Sequence, residues 1–218
     1  MATTPPSHVD PKAGPEQRIL AAAVQEFAGK GFFGARMQAM ADVAGVNKAM
    51  LHYYFRSKEN LYRQVLQATF QAIWQNVEEI LSEEVPLLQR LDRVVDLYMD
   101  LFVFNSGLVR IILREVAGGG EQLRQSIKYL KTVGITPRRS LLKVEAETGL
   151  KQDDLLHLII SLIGLCLFST FAEPFLGELF DLDPARMAGF SEERRAAIKA
   201  MLRVFLKTPG AFSHEEVS

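Results

Sequence analysis

The residues best suited to chemistry sit in one stretch, AGVNKAMLHYYFRSKENLY, at positions 44–62. Lys48 and Lys58 carry fixed positive charge, Asn47 an amide that donates and accepts, and Tyr53 and Tyr54 hydroxyl tips. Met50 and His52 stand among them. This is a set for binding rather than for bond making. Cations and hydroxyls suit phosphate oxygens, while an amide, an imidazole and a flexible thioether suit the edges of bases.

Other chemistries fail on spacing. His157 and Cys166 are nine residues apart, about half a turn out of phase on one helix, so they cannot form a dyad within it. The four histidines (8, 52, 157 and 214) lie at no metal-ligand spacing from one another or from Cys166. The Gly118-Gly119-Gly120 run precedes no strand–loop–helix pattern, so it makes no phosphate loop. Neither an enzyme nor a cofactor or metal site is expected. The single cysteine, Cys166, excludes an intrachain disulfide and fits a reducing cytoplasm. The N-terminal MATTPPSHVDPKAGP has no apolar segment after a basic start; it is read as a disordered tail over 1–14 rather than a signal peptide.

Helices must position the binding groups, for apolar residues recur at helical spacing and no convincing alternating strand appears. Ile19, Ala23 and Phe27 mark a helix over 16–29, with Gly29 and Gly31 as stop signals. Met37, Met40, Ala41 and Ala44 mark a short one over 36–44. Gly45 ends it, because glycine accepts positive φ in a sharp turn without steric cost. Val46 can plug the turn and Asn47 can cap the next helix, 48–54. Leu51 and Phe55 face inward there, which leaves Lys48, Met50, His52, Tyr53 and Tyr54 outward or sideways. Two short helices joined by Ala44-Gly45-Val46 form a helix-turn-helix over 36–55, whose second helix can enter the major groove of DNA.

Ser57 can cap a long helix over 58–81 that is apolar on two sides. Leu61, Val65, Ala68 and Ala72 follow one ridge; Tyr62, Leu66, Phe70 and Trp74 follow the next. Such a helix joins an N-terminal triplet to a C-terminal body. Further helices are expected near 87–104, 107–117, 121–147, 152–172 and 191–207, the last with Ser191 as cap and charges ordered to suit its dipole. Bulk properties agree with a folded chain: 218 residues, 48% hydrophobic, 23% charged. The net charge of -1 gives no global sign of nucleic acid, although residues 1–62 carry seven Lys/Arg against five Asp/Glu.

RILAAAVQEFAGKGF followed by MADVAGVNKAMLHYYFRSKENLY, in this order and spacing, resembles the tetracycline-repressor (TetR) type of bacterial transcription regulators. The resemblance covers about residues 15–65; the rest matches only in architecture. It implies an all-α fold, with a three-helix DNA-binding domain at 15–60 and a C-terminal ligand-binding and dimerisation domain at 61–208. It implies DNA contact by Asn47, Lys48, Ala49, Met50, His52, Tyr53 and Tyr54, a phosphate contact by Lys58, and backbone contacts by Arg36 and Gln38. Ala35 and Arg36 stand where the family usually has threonine or serine, so the hydroxyl that would cap the second helix is missing. Ala49 replaces a usual glycine and His52 a usual tyrosine, changes that alter which operator is read more than whether DNA is bound.

The partner expected is a double-stranded, pseudo-palindromic operator, with a small-molecule effector beside it. Phe70, Trp74, Tyr98, Phe102 and Phe168 are the candidate lining of an effector cavity, which suggests an apolar or aromatic ligand. The alternative is a C-terminal body that only dimerises or binds a protein. Residues 155–172 lack Asp, Glu, Lys and Arg altogether. With no basic flank, a helix buried on most sides is expected rather than a membrane span. Together with the apolar stripe Ile198, Met201, Leu202 and Phe205 it predicts a homodimer through 152–176 and 191–207.

Overall fold

The computed structural model describes residues 9–104, 106–183 and 189–207. Among the described residues all regular structure is helical: α1 (Pro15–Gly34), α2 (Met37–Ala44), α3 (Lys48–Phe55), α4 (Lys58–Ser82), α5 (Leu87–Phe104), α6 (Ser106–Ala117), α7 (Glu121–Thr132), α8 (Arg138–Thr148), α9 (Gln152–Leu179) and α10 (Phe190–Lys207). They form two compact units, 9–76 with 106–136, and 77–104 with 137–183 and 189–207. The boundary falls inside α4, so compactness groups α6, α7 and most of α4 with the helix-turn-helix.

In the first unit Ile19, Phe27, Met40, Leu51, Phe55 and Leu61 are all fully buried in one core. α1 runs further than its glycines predicted, with a kink at Gly31 (φ 69°, ψ 177°). A kink strands carbonyls, and Arg114 of α6 collects them: its guanidinium donates to Phe27 O at 3.3 Å and Ala28 O at 2.8 Å. Tyr62 of α4 donates to Glu115 of α6 at 3.2 Å, and the other oxygen of that carboxylate accepts from the Gln122 N–H at 2.8 Å, opening α7. Burial, and then the neighbouring Glu115 charge, push the Tyr62 phenol well above its ordinary range. Of the tail expected at 1–14, residues 1–8 lie outside the described residues. Val9 packs on the core, and Asp10 accepts from the Lys12 N–H at 2.9 Å in a turn.

The single helix expected over 121–147 is two. α7 ends at Thr132 and α8 starts at Arg138, separated by Gly134 at φ 79° and by Pro137, which lacks the N–H that a continuous helix needs.

In the second unit α5, α9 and α10 pack together, with α8 against α9. Buried Arg90 donates to Leu81 O at 2.8 Å and pairs with Glu147, tying α5 to α4 and α8. Arg195 of α10 reaches Asp96 at 3.0 Å and Asp100 at 2.6 Å on α5, and Lys199 reaches Asp96 at 2.6 Å. Burial alone would raise the Asp96 carboxyl, but its bonds to Lys199 and Arg195 outweigh that and hold it below the usual range. Burial pushes the Cys166 thiol up to about 11.

The expectation that α9 is buried on most sides is corrected. Leu155, Leu158, Leu162 and Cys166 turn inward, but Leu156, Ile160, Phe168, Phe175 and Leu179 are exposed. Ile160 is 68% and Phe168 72% exposed. Residues 152–169 are long and apolar enough to cross a membrane by length and composition, with 28% of that window buried. The exposed apolar residues of α9 recur at steps of four, eight, seven and four positions, so they form one ridge opposite the packed side.

Candidate nucleic-acid interface

The turn between α2 and α3 forms as its residues dictate. Gly45 is left-handed (φ 63°, ψ 39°), and its N–H returns to Asp42 O at 3.2 Å while that of Val46 returns to Ala41 O at 3.0 Å. Val46 packs on the core. Asn47 Oδ1 accepts from the Met50 N–H at 2.7 Å, a cap of about 1 kcal/mol that fixes where α3 starts. Leu51 and Phe55 are fully buried, and every other residue of α3 is exposed. One face of the helix is thus anchored and the other presents Lys48, Ala49, Met50, His52, Tyr53 and Tyr54 together. Tyr53 is 73% exposed, more open than Met50 or Tyr54, with its ring 5.4 Å from that of Tyr54 and nearly perpendicular to it. His52 Nδ1 lies 3.1 Å from Arg56 O, which steadies the imidazole at the end of α3.

Arg36 and Gln38 are exposed at the start of α2, where Gln38 donates to Asp42 at 2.8 Å. No side chain caps the first turn of α2; Glu26 of α1 instead accepts from the N–H of the N-cap residue, Arg36, at 3.1 Å, which ties the start of α2 to α1. Lys58 is half-buried rather than free. Its ammonium donates to Ala35 O at 3.2 Å and Phe33 O at 3.4 Å and lies 4.8 Å from the centre of the Phe32 ring. It therefore ties the α1–α2 loop to the first turn of α4, leaving one of its three donors for an anion. Ser57 Oγ accepts from the Asn60 N–H at 3.1 Å, capping α4. One exposed cation escapes the sequence reading. Arg56, between α3 and α4, has φ 63°, a conformation that costs a side chain about 1–2 kcal/mol. The only signal for it is its position in the RSK linker.

The five aromatic residues considered for an effector belong to both units. Phe70 and Trp74 of α4 lie 5.9 Å apart in the first unit, and Tyr98 and Phe102 of α5 lie 5.8 Å apart in the second. Phe168 borders an open groove of about 360 Å³ with Phe190 and Arg194.

Comparison with known proteins bears on this geometry directly. Residues 19–65 match the family described as bacterial regulatory proteins, tetR family. The chain is 29% identical over 154 residues to the HTH-type transcriptional repressor NicS of Pseudomonas putida, covering 69% of this chain and 73% of NicS. It is 34% identical over 95 residues to the HTH-type transcriptional activator FasR of Mycolicibacterium smegmatis, covering 44% and 43%. The fold is similar to that of the transcriptional regulator FadR from Bacillus subtilis in complex with stearoyl-CoA, with a TM-score of 0.60, 18% identity, and 84% and 97% coverage.

Proposed function

This chain belongs to the TetR family of bacterial regulatory proteins and is a DNA-binding transcription regulator, not an enzyme; from that premise we propose that it is a cytoplasmic, homodimeric repressor released from a pseudo-palindromic operator by a small apolar or aromatic effector. The observation that carries the reading is the face of α3, where an anchored helix presents a lysine, a histidine and two tyrosines to solvent. Asn47, Met50 and His52 read base edges. Lys48, Ala49, Tyr53 and Tyr54 approach the backbone, with Arg36, Gln38, Lys58 and Arg56 flanking them on phosphates. Residues 15–60 serve reading, and 61–208 serve regulation and dimerisation. The sign of regulation follows NicS, a repressor by name, because it aligns over more of the chain than FasR.

The exposed ridge of α9, with Met201 and Val204 on α10, supplies the dimer face. An apolar ridge backed by a packed, partly polar helix pair suits a symmetric helical interface better than lipid. The effector reading rests on the Tyr98–Phe102 and Phe70–Trp74 pairs and on the acyl ligand of FadR. A ligand acts here only by preferring the released form. Selection of bound fragments from random DNA is expected to return a palindrome whose half-sites lie about 34–36 Å apart, one helical turn. Recovery of no preferred sequence would sink the reading.

Within that reading, Lys58→Ala is expected to weaken binding to all DNA and to reduce the salt slope by about one. It also frees the Phe33 and Ala35 carbonyls, so the melting temperature falls with it. His52→Ala instead changes the base preferred at one operator position. Equal weakening of every sequence by both variants would remove the division between positioning and reading.

A further inference from the structure

We propose that the first compact unit, which holds the helix-turn-helix, also carries a small-molecule site, for a planar monocarboxylate, in the cleft walled by α1, α4 and α7. The cleft holds about 760 Å³, within the range of small-molecule pockets. Its α4 wall is unusual for a helix face open to water. Such a face ordinarily carries lysine and glutamate, but here it is Asn60, Arg63, Gln64, Gln67 and Gln71, following one another at helical spacing. Asn60 is occupied, donating to Phe55 O at 3.0 Å. Arg63, Gln64, Gln67 and Gln71 have no side-chain hydrogen-bond or ion-pair partner among the described residues, and Arg63 Nε is buried without one.

That pattern selects its ligand. A guanidinium with a buried, unmatched N–H is best satisfied by a carboxylate, which takes two parallel bonds from the fork. The carboxamides beyond it donate and accept but carry no charge, which suits hydroxyl or ring-nitrogen substituents on a planar body. Leu20, Leu130 and Ile135 give that body an apolar surface. Glu16, exposed in the same lining, is its only carboxylate and disfavours a second negative charge on the ligand. The site contains none of Tyr98, Phe102 or Phe168, so it stands or falls apart from the effector reading above.

Calorimetric titration of the full chain with benzoate, 4-hydroxybenzoate, benzamide and isophthalate tests this. One or both monocarboxylates are expected to bind at one site per chain, with benzamide at least about tenfold weaker for the loss of one charge-assisted pair and isophthalate weaker because its second carboxylate meets Glu16. Arg63→Met is expected to lose at least about tenfold in benzoate affinity. Gln67→Leu should weaken 4-hydroxybenzoate more than benzoate, and Phe102→Leu should change neither. Failure of both monocarboxylates to bind overturns the proposal. So does unchanged affinity in an Arg63→Met protein that melts like the parent, or a Phe102→Leu protein that loses binding.

Discussion

Replacing Ile160 and Phe168 together with glutamate is expected to leave a monomer of 24.4 kDa that no longer holds its operator. Both side chains lie open on the α9 ridge. In a symmetric interface each is buried twice, and full burial of such a residue is worth about 1.5–3 kcal/mol. Four lost burials, and four carboxylates forced into an apolar seam, remove more than most dimers have to lose. A single head then meets a single half-site, so operator affinity falls by at least about a hundredfold. Helicity should stay at the parent value, because the packed side of α9, with Leu158, Leu162 and Cys166, is untouched. Val116→Glu, on an exposed residue of α6, serves as the control and should remain dimeric. Sedimentation that finds the double variant at the dimer mass would place the interface elsewhere.

That ridge also marks where sequence reading reaches its limit. The apolar run of 155–172 was legible as a helix that must be covered, but a run apolar on every side does not say which side its own chain covers. Local signals were read well for a physical reason. Gly45, Asn47 and Ser57 act on backbone groups within four residues of themselves, and the spacing of Leu51 and Phe55 fixes the buried side of α3 whatever else surrounds it. The contacts that escaped reading join residues far apart in the chain. Glu26 holds the Arg36 N–H before α2, Arg114 collects carbonyls stranded by the kink at Gly31, and Lys58 spends two donors on carbonyls before α2. No periodicity encodes those. The break at Gly134 and Pro137 was legible by rule, yet the apolar residues on either side kept a helical rhythm and hid it.

Phe55→Ala is expected to destabilise the reading unit by about 3–5 kcal/mol. Phe55 is the last residue of α3 and is fully buried with Ile19, Phe27, Met40, Leu51 and Leu61. Removing its ring leaves a cavity lined by residues from several helices, none of which can relax without pulling on the others. A domain's whole stability is about 5–15 kcal/mol, so the loss is a large share of it. The functional cost follows from position, because α3 is held inward by Leu51 and Phe55 alone. With one anchor gone the reading face loses its fixed orientation, and affinity for every sequence falls. Tyr54→Ala, one residue earlier and exposed, separates the two effects: stability should shift by no more than about 0.5 kcal/mol while DNA binding weakens. Phe55→Leu keeps most of the volume and should recover most of the stability and the binding together. Urea titration of the three variants beside a DNA-binding assay reads both quantities. A Phe55→Ala protein with the parent's unfolding midpoint, or one that binds DNA normally while destabilised, would show that the helix is oriented by something other than this ring.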